Sequence, residues 1–125
     1  MFTSQIRRFL SISETDCQRI DGAMNDFQKL TQEIRKFAEL RDWEKFHTPK
    51  NLSMAIAGEA GELVAEFQWL TELESKLSAM APEKHEAIEL EIADVAIYLL
   101  RLADVLEIDV PAAIRKKMEI NKSRF

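Results

Sequence analysis

The most constraining stretch of this chain runs from Ile92 to Ala103, where only Asp94 and Arg101 carry charge and apolar residues fill most of the helical circumference. A helix that is apolar nearly all round needs neighbours on several sides. The chain is therefore expected to fold as helix on helix, with this segment central. Glu91 and Asp94 nevertheless share one face of it, three residues apart, with Tyr98 one turn further on. A carboxylate taken out of water is costly unless it is paired, and this helix offers few basic side chains of its own.

The remaining pattern supplies the neighbours. Glycine and proline number three each, too few for a chain of many tight turns. A first helix is expected from near Ser13 to Asp16 up to about Leu40, on the spacing of Ile20, Met24, Phe27, Leu30, Ile34 and Phe37. Segment 41–50 breaks that period, contains Pro49 and reads as a structured connection carrying Trp43 and Phe46. A second helix follows from about Lys50 or Asn51 to Leu70, with Leu52, Ile56, Leu63, Phe67 and Leu70 as its stripe. Segment 71–82 is weaker and polar, a loop with some helical turns. The third helix is expected from Pro82 or Glu83 to about Leu106. The fourth opens with Asp109 as N-cap and Pro111 in the first turn. The sum is an all-α four-helix bundle in one domain over residues 1–125, with 1–13 as a possible N-terminal arm. A domain of this size leaves about a third of its unfolded surface exposed, so pairing with further copies is a natural way to bury more.

The net charge of −5 repels nucleic-acid polymers. The basic residues are uneven: Arg115, Lys116, Lys117, Lys122 and Arg124 face only one acid, Glu119, in segment 115–124. Such a patch suits a compact anion, and equally suits the C-terminal end of a helix dipole. Cys17 stands alone, so neither an intrachain disulfide nor a cysteine zinc site is available. The opening residues lack a continuous apolar run and no stretch approaches the roughly 20 apolar residues of a membrane span. The expected compartment is the cytoplasm, with no membrane partner.

At about 100° per residue, Glu59, Glu62 and Glu66 fall in one narrow sector of the second helix, beside its apolar stripe. Three acids at the edge of a core repel one another, and something positive is expected nearby. Hard divalent cations such as Mg²⁺ take oxygen ligands and keep positions open for water and phosphate. Two helices that each offer an i, i+3 carboxylate pair, Glu59 with Glu62 and Glu91 with Asp94, can converge on one or two such ions. The alternative is that these acids are surface groups, or are ion-paired with lysines of the fourth helix; for Glu66 that alternative is the favoured one. Trp43 and Trp69 read first as core or interface residues, while their positions at a break and at a helix end leave stacking on a base open.

The motif Glu59-Ala-Gly-Glu62, then 28 residues, then Glu91-Ile-Ala-Asp94 resembles the E-x-x-E … E-x-x-D pattern of the MazG-like all-α nucleoside triphosphate pyrophosphohydrolases. The run from Arg41 through Trp43, His47, Pro49 and Leu52, the pair Phe67 and Trp69, and the ending Lys117-Met-Glu-Ile-Asn121 are similar to the dCTP pyrophosphatase branch. The resemblance spans about residues 24–125. It implies four helices per subunit, a homodimer or homotetramer, Mg²⁺ dependence, and hydrolysis of a nucleoside triphosphate to monophosphate and pyrophosphate. Carried over by position, it implies Glu59, Glu62, Glu91 and Asp94 as metal ligands and Glu59 or Glu62 as the catalytic group holding water. It implies Trp43 and Trp69 flanking the base, His47, Lys50 and Asn51 near the pocket entrance or phosphates, and Tyr98, Lys117 and Asn121 on sugar or phosphate. Gly58 stands where many members carry a further glutamate, and Ile34 stands where the dCTP branch carries a histidine. The implied substrate is thus dCTP-like or another deoxynucleotide such as dATP, in nucleotide-pool house-cleaning. The rivals are a dUTPase-like or phosphoribosyl-ATP pyrophosphatase specificity, and a non-enzymatic helical assembly module.

Overall fold

A computed structural model of the protein describes residues 24–125. The expected arm over 1–13 and the expected helix start near Ser13 to Asp16 lie outside the described residues. Four α-helices follow in order: α1 Asp26–Leu40, α2 Pro49–Phe67, α3 Pro82–Val105 and α4 Val110–Arg124. Short 3-10 turns at Glu44–Phe46 and Leu77–Ala79 interrupt the first two connections. The all-α expectation holds among the described residues, and none of these helices is long and apolar enough to cross a membrane.

The first helix begins later than its apolar spacing suggested. Asn25 caps it reciprocally: its side chain accepts from the Gln28 amide at 2.9 Å, and its own amide donates to the Gln28 side chain at 3.0 Å. Such a box satisfies two orphan donors at once, so the cap overrides the periodicity that runs through Met24. The second helix opens on Thr48, whose hydroxyl accepts from the Asn51 amide, with Pro49 in the first turn. Asp109 caps the fourth helix through the Ala112 amide at 2.9 Å, as expected.

Two helices end in the same way without a glycine. After α1, Asp42 adopts φ 55° while the amides of Asp42 and Trp43 return to the Glu39 and Ala38 carbonyls. After α3, Glu107 adopts φ 54° while the amides of Glu107 and Ile108 return to the Asp104 and Ala103 carbonyls. This paired bonding satisfies the last carbonyls of a helix but places a side-chain-bearing residue in the left-handed region.

α3 is the central element, packed on α2 and on α1. Leu52, Ala38, Ile88 and Ala103 form the buried apolar core between them. No residue of α4 is buried. Much of the apolar circumference read from the sequence remains uncovered, including Leu90, Ile92, Ile97 and Leu99 on α3 and Met54 and Val64 on α2.

Candidate active site

The packing of α2 on α3 brings carboxylates together. One oxygen each from Glu59, Glu91 and Asp94 lies within 4.8 Å of the others. Glu59 and Glu91 are half-buried and Asp94 is exposed. Removal from water, then the neighbouring charges of Asp94, Glu62, Glu59 and Glu66, hold the Glu91 carboxyl above its usual range. Three hard oxygen donors in mutual reach, under repulsion that a dication would relieve, fit Mg²⁺ or a similar ion. Glu62 is exposed and stands outside the group of three, although its charge reaches Glu91.

Glu66 belongs to a different interaction. Lys84 Nζ donates to its carboxylate at 2.9 Å and to its main-chain carbonyl at 3.2 Å, tying α2 to the start of α3. The third glutamate of the sector is therefore ion-paired, but with a lysine of α3 rather than with the lysines of the fourth helix that were expected.

An aromatic cluster is built by the way α1 ends. The turn at Asp42 delivers Trp43 beside Phe37, edge to face, with ring centroids 5.7 Å apart. Arg41 lies over the Phe37 ring at 3.4 Å, covering one face of it. The 3-10 turn Glu44–Phe46 then places the His47 ring 6.2 Å from that of Trp43. Asn51 fastens this turn to α2 by donating its side-chain amide to the Phe46 carbonyl at 3.0 Å. Lys50 sits exposed in the first turn of α2. Trp69 follows the end of α2 with its side chain almost wholly in solvent. Tyr98 is half-buried on α3, one turn beyond Asp94. On α4, Lys117 is exposed and Asn121 is half-buried.

A charged network behind these residues was not legible in the sequence. Arg101, 6% exposed, donates through Nη1 to Asp104 at 2.9 Å and through Nε to His47 Nδ1 at 3.1 Å. Arg35 on α1 grips the same Asp104 through Nε at 2.9 Å and through Nη2. Hydrogen bonding and charge from Arg35, followed by Arg101, outweigh burial and hold the Asp104 carboxyl below its ordinary value. Burial and the Arg101 charge lower the His47 imidazole against the opposing pull of Glu44. A cleft of about 740 Å³ opens beside the Arg35–Asp104 pair, lined by Phe27, Thr31, Leu100, Ile108 and Pro111 among others. None of the candidate ligands or base-flanking residues named above lines it.

Known proteins resemble this arrangement. The MazG-like family profile matches residues 54–125, which include both acidic pairs. Human dCTP pyrophosphatase 1 is 42% identical over 105 residues, and the rat protein of the same name 41%. Each alignment takes in 84% of this chain and 60% of the relative's own length. The crystal structure of a pyrophosphatase from Archaeoglobus fulgidus superposes with a TM-score of 0.74 at 38% identity, over 82% of this chain and 94% of that one. With the acids in place, the profile matched over more than half the chain and the fold shared, the chain belongs to the MazG-like family.

Proposed function

We propose that this protein hydrolyses a nucleoside triphosphate to its monophosphate and pyrophosphate, with Mg²⁺ held by Glu59, Glu91 and Asp94 and with Glu62 beside them. The observation that carries the reading is the convergence of three carboxylates from α2 and α3 within 4.8 Å. The resemblance to dCTP pyrophosphatase 1 and to the Archaeoglobus fulgidus pyrophosphatase supports the reaction class. A bound dication would offset the triphosphate charge and that of the leaving pyrophosphate.

The chain's own groups would do the rest. Glu59 or Glu62 accepts the proton of the attacking water. Lys50 and Lys117 oppose phosphate charge, and Trp43 and Trp69 flank the base. His47, Asn51, Tyr98 and Asn121 line the path between them. A dCTP-like or dATP substrate, in house-cleaning of the cytoplasmic nucleotide pool, is the specificity proposed.

The assembly proposed is a homotetramer. Its support is the apolar surface that one chain leaves open on α2 and α3, together with Ile114, Met118 and Ile120 on α4. Large apolar side chains left open in this number are the material of an interface between subunits. Light scattering after size exclusion reads the mass, and a monomer at micromolar concentration would remove this part of the proposal.

Product chromatography with dCTP, dATP, dUTP and dTTP, with and without Mg²⁺, tests the chemistry. The expected result is monophosphate plus pyrophosphate only with the metal, abolished in Glu91→Gln. Release of orthophosphate, or turnover indifferent to Glu91→Gln, refutes it.

A further inference from the structure

The imidazole of His47 is contacted at Nδ1 by a group that can only donate. A guanidinium carries five N–H bonds, no acceptor, and stays charged. Arg101 Nε sits 3.1 Å from His47 Nδ1, and the guanidinium is fixed there by its second bond to Asp104. Arg101 is 6% exposed, so little water competes for that contact. Nδ1 must therefore offer its lone pair. A neutral ring so bonded carries its single proton on Nε2, and a doubly protonated ring would set N–H against N–H and charge against charge.

We propose that Arg101 is a positioning residue that locks His47 as the neutral Nε2–H tautomer, so that the ring beside Trp43 offers a bound nucleotide one N–H donor, no acceptor and no charge. A ring of that form favours an acceptor on the ligand, a base carbonyl oxygen or an unprotonated ring nitrogen, over an amino group. The groups that face it are Arg101 from α3, and Glu44 and Trp43 from the connection before α2. Burial and Arg101 both disfavour the charged ring, Glu44 favours it, and the first two prevail. The ligand half of this statement rests on the proposed pyrophosphohydrolase reading, and the tautomer half does not.

The chain has two histidines, His47 and His85, so the nitrogens of a 15N-histidine-labelled full-length protein can be assigned with His85→Gln. Long-range proton–nitrogen correlation spectra between pH 6 and 8 should show His47 Nδ1 bare and Nε2 protonated. In Arg101→Gln and Arg101→Met, which remove the charged donor, the ring should become a mixture of tautomers and titrate at higher pH. A wild-type ring protonated on Nδ1 overturns the proposal even if both variants fail to fold, as does an unaltered His47 spectrum in a folded variant.

In turnover, loss of one hydrogen bond's worth of orientation should raise KM about three- to tenfold in Arg101→Gln, with kcat within about twofold. Arg101→Gln added to His47→Gln should raise KM no further, because Arg101 acts only through that ring. Multiplying effects would overturn the positioning role. A wild-type protein that turns over no nucleoside triphosphate would sink the proposed function, while the nitrogen spectra would still decide the tautomer.

Discussion

Asp104→Asn removes the charge that two arginines share while keeping the shape of the side chain. The Asp104 side chain is 12% exposed and that of Arg101 7%, whereas Arg35 is 44% exposed. Breaking a buried pair from one side costs about 3–5 kcal/mol, because the remaining charge is left without its partner. Residual water at Asp104 and the surviving bond from Arg101 to His47 place the expected loss near the lower end, about 3 kcal/mol. Arg35→Ala removes a partner that solvent already screens, and should cost no more than about 1 kcal/mol. Urea unfolding at one fixed protein concentration reads both, as a midpoint shift at constant slope. The pH dependence has a definite sign. Asp104 is held below its unfolded value, so its contribution is present above the unfolded carboxylate range and lost as pH falls through the folded one. The gap between wild type and Asp104→Asn should therefore be full at pH 7 and close on acidification. A loss below about 1 kcal/mol, or Arg35→Ala costing as much as Asp104→Asn, would show that the network behaves as an ordinary surface ion pair.

The Glu91 carboxyl is displaced upward, so the metal-free protein should lose stability as pH rises through the window between its unfolded and folded values. Melting in a chelator should accordingly be higher for Glu91→Gln than for wild type at neutral pH, and added Mg²⁺ should raise wild type more than the variant; equal responses would refute the acid-cluster account. Glu107→Gly should stabilise by about 1 kcal/mol in thermal unfolding, since glycine occupies the left-handed region without a Cβ penalty. Gly61→Ala should also stabilise, by roughly 0.5–1 kcal/mol, because a Cβ there meets nothing within 4 Å and the helix gains propensity. Destabilisation or a change of mass in that variant would mean that a second chain packs closely against α2.

The third helix and its acids were legible because periodicity reports faces, and Glu91 and Asp94 broke an apolar run whose neighbours had to be other helices. The starts of α3 and α4 were legible from Pro82 and Asp109, which act within one turn of themselves, whereas Pro49, assigned to the connection, is the first residue of α2 behind the Thr48 cap. The start of α1 was not, because apolar spacing continues through Met24 while the Asn25–Gln28 box opens the helix at Asp26 regardless of it. The ends of α1 and α3, expected at about Leu40 and Leu106, fall at Leu40 and Val105, because the apolar period stops there even though Asp42 and Glu107 supply no glycine. Glu59 and Glu66 show the limit most clearly. Both fall in one sector of α2, yet Lys84 from another helix neutralises one and leaves the other facing Glu91 and Asp94. Spacing along a helix selects candidates, and the partner that decides among them lies far away in sequence.

The same argument applies to Arg101, whose single charge in an apolar run could have been a solvated side chain. Its burial places the contact to His47 on the same rigid element as Glu91 and Asp94. At about 1.5 Å of rise per residue, Arg101 stands roughly 10 Å along α3 from Asp94. The acids sit toward one end of that interval, and His47, with Trp43 beside it, is held at the other. A displacement of α3 relative to α2 would therefore disturb both the carboxylate cluster, which the two helices build between them, and the Arg101–His47 contact. A change confined to Arg101 would release the imidazole and leave the carboxylates where they are. That separation is why loosening Arg101 should weaken nucleotide binding without slowing the bound reaction, whereas loss of Glu91 should remove the reaction itself.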